Sequence, residues 1–221
     1  MKNKIVIFGK TMFSSQLYII LKHEGYDIVA FTVDKLYRDS TSFEDLPLFP
    51  FEELENYVEK DEIEIALSIG YNHMNDVRKG KYLECKMRGF KILTFVSKEA
   101  HIYTDEIGEG CLIMPKAYIG PFSKLGVCCV IWPGVVLAHH NELDDYNWIA
   151  PSCCWGGGAS SGKNCFLGIG STVRNEIRLA NYTFISAHTY IGKETIPGGA
   201  YLGVPAKLLP NTNSLEIVAK V

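Results

Sequence analysis

From residue 107 to residue 191 a six-residue rhythm runs along the chain without an insertion. Its anchors are Ile107, Ile113, Ile119, Leu125, Ile131, Leu137, Leu143, Ile149, Trp155, Ser161, Leu167, Val173, Leu179, Ile185 and Ile191. All are Ile, Leu or Val except Trp155 and Ser161. Four residues after an anchor the side chain is usually small, as at Cys111, Ala117, Ser123, Cys129, Cys153, Ala159, Cys165 and Ser171. Glycine often follows the anchor directly, at Gly108, Gly120, Gly126, Gly168 and Gly192. Helices repeat near 3.6 residues, coiled coils near 3.5 and strands at 2, so none accounts for a period of six. Six residues do form one flat side of a triangular coil. The anchor fills the prism, the small residue fits near a corner, and turns stack about 4.8 Å apart through parallel strand hydrogen bonds. Each turn buries its apolar side chains against neighbouring turns, as in other repeat proteins. The pattern predicts a parallel β-helix.

Before this array the pattern changes. Asn3 to Gly9 reads as a short buried strand ending in glycine, rather than a signal peptide. Phe13, Leu17, Ile20 and Leu21 line one face of a helix over residues 13–23. Further strands are predicted at Tyr26–Val33, Ile63–Gly70 and Lys91–Val96, with helices at Phe51–Val58 and over residues 74–88. This β-α-β order implies a parallel sheet with right-handed crossovers. The predicted domains are 1–98, a small α/β unit, and 99–221, the β-helix with its tail.

Ligands on such sheets bind beyond the carboxyl ends of the strands. Those ends are Gly9-Lys10-Thr11, Asp34-Lys35 and Gly70-Tyr71-Asn72. The first lacks the glycine pattern of a dinucleotide fingerprint.

Composition narrows the function class. Hydrophobic residues make up 47% and charged residues 21%, with a formal net charge of −3. That balance argues against a nucleic-acid partner. No apolar run approaches the ~20 residues needed to span a bilayer, so no membrane insertion is expected. The seven cysteines suit a reducing, cytoplasmic setting. Cys128-Cys129 and Cys153-Cys154 are adjacent pairs without zinc-site spacing, and no His-x4-His occurs, so no metal is expected.

The 18-residue stacking places Gly157 directly above His139. A histidine near a corner can reach solvent, and an imidazole near neutrality accepts a proton from an attacking amine or hydroxyl. A glycine beside it lets a backbone N–H approach a ligand and hold the oxyanion of an attacked thioester. Trp155 and Ser161, the irregular anchors, flank Gly156-Gly157-Gly158, and a departure from a local rule often marks function.

The hexapeptide array, Val135-Val136-Leu137-Ala138-His139, the run Ser161–Gly168 and the ending Gly203-Val204-Pro205-Ala206-Lys207 resemble bacterial nucleotide-sugar acetyltransferases. These include the bacillosamine-type N-acetyltransferases of UDP-amino sugars and the sialic-acid-type O-acetyltransferases. The resemblance implies a Rossmann-like N-terminal domain followed by a left-handed parallel β-helix, assembled as a homotrimer. It implies acetyl-CoA as co-substrate, His139 as base and Gly157 N–H as oxyanion donor. Gly157, Ile169 and Ala187 would line the CoA groove, with Pro205 and Lys207 at its far end. A nucleotide-linked sugar, destined for surface polysaccharide or lipopolysaccharide, would sit near Gly9, Lys10, Asp34, Gly70, Tyr71 and Asn72.

Three positions differ from the bacillosamine-type pattern. The acidic residue that follows the base there is His140 here, and Trp132 and Trp148 take the places of polar site residues. His140, Glu142, Asp144 and Asp145 are therefore the candidates to orient His139, and the two indoles offer stacking surface to the acceptor. The acceptor nitrogen or oxygen stays open: N-acetylation, O-acetylation and a β-helix that only binds are the three readings.

Overall fold

The protein is described by a computed structural model covering residues 4–204, 207–208, 210 and 213–215. It divides into two units. One runs up to Gly70 and includes Gly80–Leu93; the other comprises Tyr71–Lys79 and the chain from Thr94 onward.

The first unit contains β1 (Lys4–Phe8), α1 (Met12–His23), β2 (Ile28–Val33), β3 (Ser42–Phe43), β4 (Leu46–Pro50), β5 (Ile63–Leu67), most of α2 (Asp76–Met87) and β6 (Lys91–Ile92). The sheet order is β3-β4-β2-β1-β5-β6. Every pair is parallel except β3 with β4. Parallel strands covered on both faces are apolar throughout, and Val6, Ile7, Phe31, Ile65 and Ala66 are buried. Leu17 and Leu21 of α1 are buried, as the helical pattern predicts.

Two expectations change here, and one element is new. Phe51–Asn56 forms a 3-10 helix, shorter than the predicted segment. The hairpin β3–β4 is absent from the sequence reading; its two-residue turn, Glu44-Asp45, has φ of 49° and 61°, a conformation usually marked by Asn-Gly. The predicted strand Lys91–Val96 splits. β6 pairs with β5, whereas Phe95–Val96 pairs with Leu112–Ile113 in the coil, so the coil begins before the boundary expected at residue 98.

The second unit is a parallel β-helix with three faces. The first face holds Leu112–Ile113, Val130–Ile131, Trp148–Ile149, Phe166–Leu167 and Phe184–Ile185; the second holds Tyr118–Ile119, Val136–Leu137, Cys154–Trp155, Thr172–Val173 and Tyr190–Ile191; the third holds Lys124–Leu125, Glu142–Leu143, Ser160–Ser161 and Arg178–Leu179. Partners lie 18 residues apart, as in Leu137 opposite Trp155 and Trp155 opposite Val173. Every anchor from Ile113 to Ile191 is buried, Trp155 and Ser161 included. The irregular anchors thus point into the prism. The Ser161 hydroxyl accepts a hydrogen bond from Asn147 Nδ2 at 3.0 Å.

Each corner has one residue in the left-handed region. They recur every six positions, among them Phe122, Cys128, Gly134, His140, Tyr146, Ser152, Gly158, Asn164 and Gly170. The glycines after the anchors serve a different need. A Cβ on Gly120 would collide with the Ala138 carbonyl of the next turn. Buried asparagines tie turns together: Asn141 Nδ2 donates to Gly156 O at 2.8 Å, and Asn147 Oδ1 accepts Cys165 N–H at 2.7 Å. The cysteines are free thiols, buried except Cys154. Burial pushes the thiols of Cys128 and Cys165 up to about 12, which suits packing and not nucleophilic work.

Residues 71–79 are pinned to the coil within the same unit. Arg78 is fully buried and donates to Cys128 O, Tyr146 O and Asn75 Oδ1. Asn164 Nδ2 donates to Met74 O at 2.9 Å, and Asn75 Nδ2 to Cys165 O at 3.1 Å.

Candidate active site

His139 lies where the chain leaves the second face, one residue before the left-handed corner at His140. The chain turns sharply here, so the side chain stands outside the prism and is exposed. The imidazole rests on Gly157 of the next turn. A Cβ on Gly157 would sit 2.5 Å from His139 Nε2 and 3.0 Å from Nδ1. The space above the histidine is occupied by the ring itself. The neighbouring amides are engaged: Gly156 N–H donates to Val173 O and Gly158 N–H to His139 O, both at 2.9 Å. Among the described residues nothing accepts the Gly157 N–H. A proton acceptor and an unengaged amide therefore lie at one corner, as general-base acyl transfer requires.

Of the four residues expected to orient His139, one touches it. His140 Nδ1 lies 3.0 Å from His139 Nδ1. Glu142 faces Lys124, and Asp144 and Asp145 face Lys163, which sits 2.7 Å from Asp145 Oδ2. Asp145 Oδ1 also accepts Val127 N–H. These carboxylates brace the third face and its corner. Phe122 lies against His140, with ring centroids 4.7 Å apart. It sits 18 residues before His140, so the repeat frame alone could have found it.

A cleft of about 420 Å³ opens along the first face and the corner beyond it. It brings together residues the sequence reading assigned to different ligands: Tyr71, Trp132 and Trp148 with Ile169 and Ala187. Phe166 and Phe184 stack at 5.1 Å and extend the aromatic wall. Among the described residues no charged side chain lines this cleft. Gly157 is on a different corner, so one coil does not unite the three residues expected to line the CoA groove.

A second cleft of about 420 Å³ is lined by Arg174, Tyr190, Gly192, Lys193, Glu194 and Tyr201. Arg174 and Gly192 continue the column of Ala138 and Gly156, and Lys193 continues that of His139 and Gly157. The sequence reading missed this cleft, though the same frame points to it. Lys207 runs antiparallel to Leu202, and Pro205 lies outside the described residues.

In the first unit, Gly9 and Asp34 directly follow β1 and β2 as expected, whereas β5 stops at Leu67, three residues before Gly70. Gly9 has φ +129°, and a Cβ there would meet Ser14 Oγ and Ser68 Oγ. Lys10 pairs with Asp39 at 2.5 Å, which holds the Asp39 carboxyl below its usual range. Asp34 pairs with Lys81 at 2.5 Å. Tyr71 and Asn72 belong to the coil unit. Among the described residues no three His, Cys, Asp or Glu side chains converge to hold a metal. No helix among them is long and apolar enough to cross a membrane.

The coil is a β-helix with a six-residue repeat, and its residues 106–139 match the family described as bacterial transferase hexapeptide (six repeats). The whole chain is similar to the acetyltransferase domain of PglB from Neisseria gonorrhoeae FA1090 in complex with acetyl coenzyme A. The TM-score is 0.84 at 19% identity, covering 95% of this chain and 100% of that one. It is similar to PerB from Caulobacter crescentus in complex with CoA and GDP-perosamine, with TM-score 0.83, 20% identity and coverage of 95% and 98%. WeeI from Acinetobacter baumannii AYE matches at TM-score 0.61 and 16% identity, over 93% and 99%. At these identities the shared property is the fold.

Proposed function

We propose that this protein transfers the acetyl group of acetyl-CoA to the amino group of a nucleotide-linked sugar, on the way to a surface glycan. The observation that carries the reading is the exposed His139 imidazole seated on Gly157 beside an unengaged amide. Support comes from the fold shared with proteins crystallised with acetyl-CoA, or with CoA and GDP-perosamine. His139 Nε2 takes a proton from the amine as its nitrogen attacks the thioester carbonyl. The new C–N bond pushes an electron pair onto the carbonyl oxygen, which Gly157 N–H stabilises. Collapse breaks the C–S bond, and the CoA thiolate leaves with the proton from His139. No covalent enzyme intermediate forms, which fits the Cys128 and Cys165 thiols kept neutral by burial.

The donor would lie along the outside of the coil. The charge-free cleft at Ile169 and Ala187 suits the uncharged arm of CoA, and Arg174 and Lys193 suit its phosphates. Because Gly157 and the Ile169 corner are separate, a neighbouring coil is needed to close the groove, as in a homotrimer with cyclic symmetry. The N-terminal unit would act as a Rossmann-like nucleotide site at the ends of β1, β2 and β5. Free thiols and CoA chemistry support a cytoplasmic setting for the reaction.

The test is turnover with acetyl-CoA and a panel of UDP-, dTDP- and GDP-linked amino and hydroxyl sugars, GDP-perosamine included. Amino sugars are expected to react and His139→Ala to lose about 10³-fold or more in kcat while staying folded. Acetylation of hydroxyl sugars alone would make it an O-acetyltransferase. Absence of CoA binding by calorimetry would leave a binding protein.

A further inference from the structure

We infer that His140 is the positioning residue for the base, and that His139 and His140 work as a neutral pair sharing one proton. This rests on the acyl-transfer reading. The two Nδ1 atoms are 3.0 Å apart, a hydrogen-bond distance. Only one proton fits between them: two N–H groups would clash, and two bare lone pairs would repel. The proton belongs on His139. A neutral imidazole carries one ring proton, so placing it on Nδ1 leaves Nε2 bare at Gly157, where the base must act. His140 then accepts at Nδ1 and keeps its own proton on Nε2.

The corner holds this arrangement in place. His140 has φ +56°, its N–H donates to Pro121 O at 2.9 Å, and Phe122 covers one side of its ring at 4.7 Å. Glu142, Asp144 and Asp145 are turned to lysines, so no carboxylate takes over the role. When His139 Nε2 gains the proton of the acceptor amine, the pair carries one positive charge. That charge spreads over two imidazoles through the N–H···N bond instead of being met by an anion. Returning the Nε2 proton to the departing thiolate restores the neutral pair, so protons balance over one turnover. One proton too many on either ring abolishes the arrangement. It blocks Nε2 of His139 or turns His140 Nδ1 into a donor.

Imidazole 15N NMR of the intact protein reads the proton positions without any substrate. The expected spectrum has His139 protonated at Nδ1 and bare at Nε2, with a coupling to His140 Nδ1. A His139 protonated at Nε2 instead would overturn the proposal. Turnover with acetyl-CoA and the fastest sugar of the panel gives the second arm. His140→Phe keeps a ring and removes the acceptor; kcat should fall by about tenfold to a hundredfold, with KM for acetyl-CoA little changed. His140→Asn tolerates the left-handed corner and restores an acceptor, so it should recover most of kcat. Equal loss in both variants would refute positioning through the hydrogen bond. The two ideas fail separately: no turnover by the wild type with any sugar of the panel ends the acyl-transfer reading, and full activity of His139→Ala ends the role of His139 as base, whatever the NMR shows.

Discussion

At the scale of single residues, the site rests on a missing side chain. Gly157 is needed because the His139 ring occupies the volume a Cβ would take. Gly157→Ala should therefore push the imidazole aside while leaving the amide in place. We expect kcat to fall by about 10²-fold or more, with the melting temperature within a few degrees of wild type. A crystal structure should show a rotated His139, and unchanged turnover would contradict the contact. The pairing of His139 with Gly157 was legible in the sequence because an unbroken period fixes which residues stack. The partner of His139 was not. Four candidates stood within six residues, and choosing among them needed side-chain directions that a corner in the left-handed region sets.

At the scale of the elements, Trp155 and Ser161 show how one turn balances its volume. Both are inward, and they share a turn with Ile149. A large indole in a prism of fixed width leaves room for only a small neighbour. The departure from the aliphatic rule is one of packing, although it borders the glycines of the site. Ser161→Leu should overfill the turn and cost about 1–3 kcal/mol, and it also leaves Asn147 without one acceptor. Trp155→Leu alone should cost about 3 kcal/mol through the cavity it opens. The double variant should be more stable than the two costs predict, and denaturant unfolding of all four proteins gives the coupling. Strict additivity would mean that the two side chains do not share space. The hairpin β3–β4 was missed because Glu44-Asp45 carries no turn signal of its own. The pinning of residues 71–79 was missed because Arg78 reads as an ordinary surface cation on an amphipathic helix. Its burial depends on carbonyls from distant turns.

For the whole molecule, the decisive fact is that Gly157 and the Ile169–Ala187 wall stand on different corners of the coil. On the proposed reading, a single coil would offer half of a CoA groove at each corner. Light scattering should give three times the chain mass, and acetyl-CoA should bind with one molecule per chain. A stable monomer that still turns over would show that one coil suffices. The two clefts of the coil unit also divide by charge. Among the described residues, one has uncharged walls; the other carries Arg174 and Lys193 together with Glu194. Replacing Lys193 by Glu should raise KM for acetyl-CoA severalfold and leave dephospho-CoA analogues less affected, because a phosphate contact is electrostatic.

The sequence by itself determined the coil, its frame and the histidine–glycine stack, because a six-residue period is a local instruction repeated until only one architecture fits. It also marked the β-α-β order of the first unit, since buried parallel strands are continuous apolar runs. Tertiary structure alone decided which of the four candidates touches His139, which carboxylates are spent on lysines, and where the coil begins. Those outcomes depend on distances between residues whose side chains leave the periodic lattice, and a period carries no information about them.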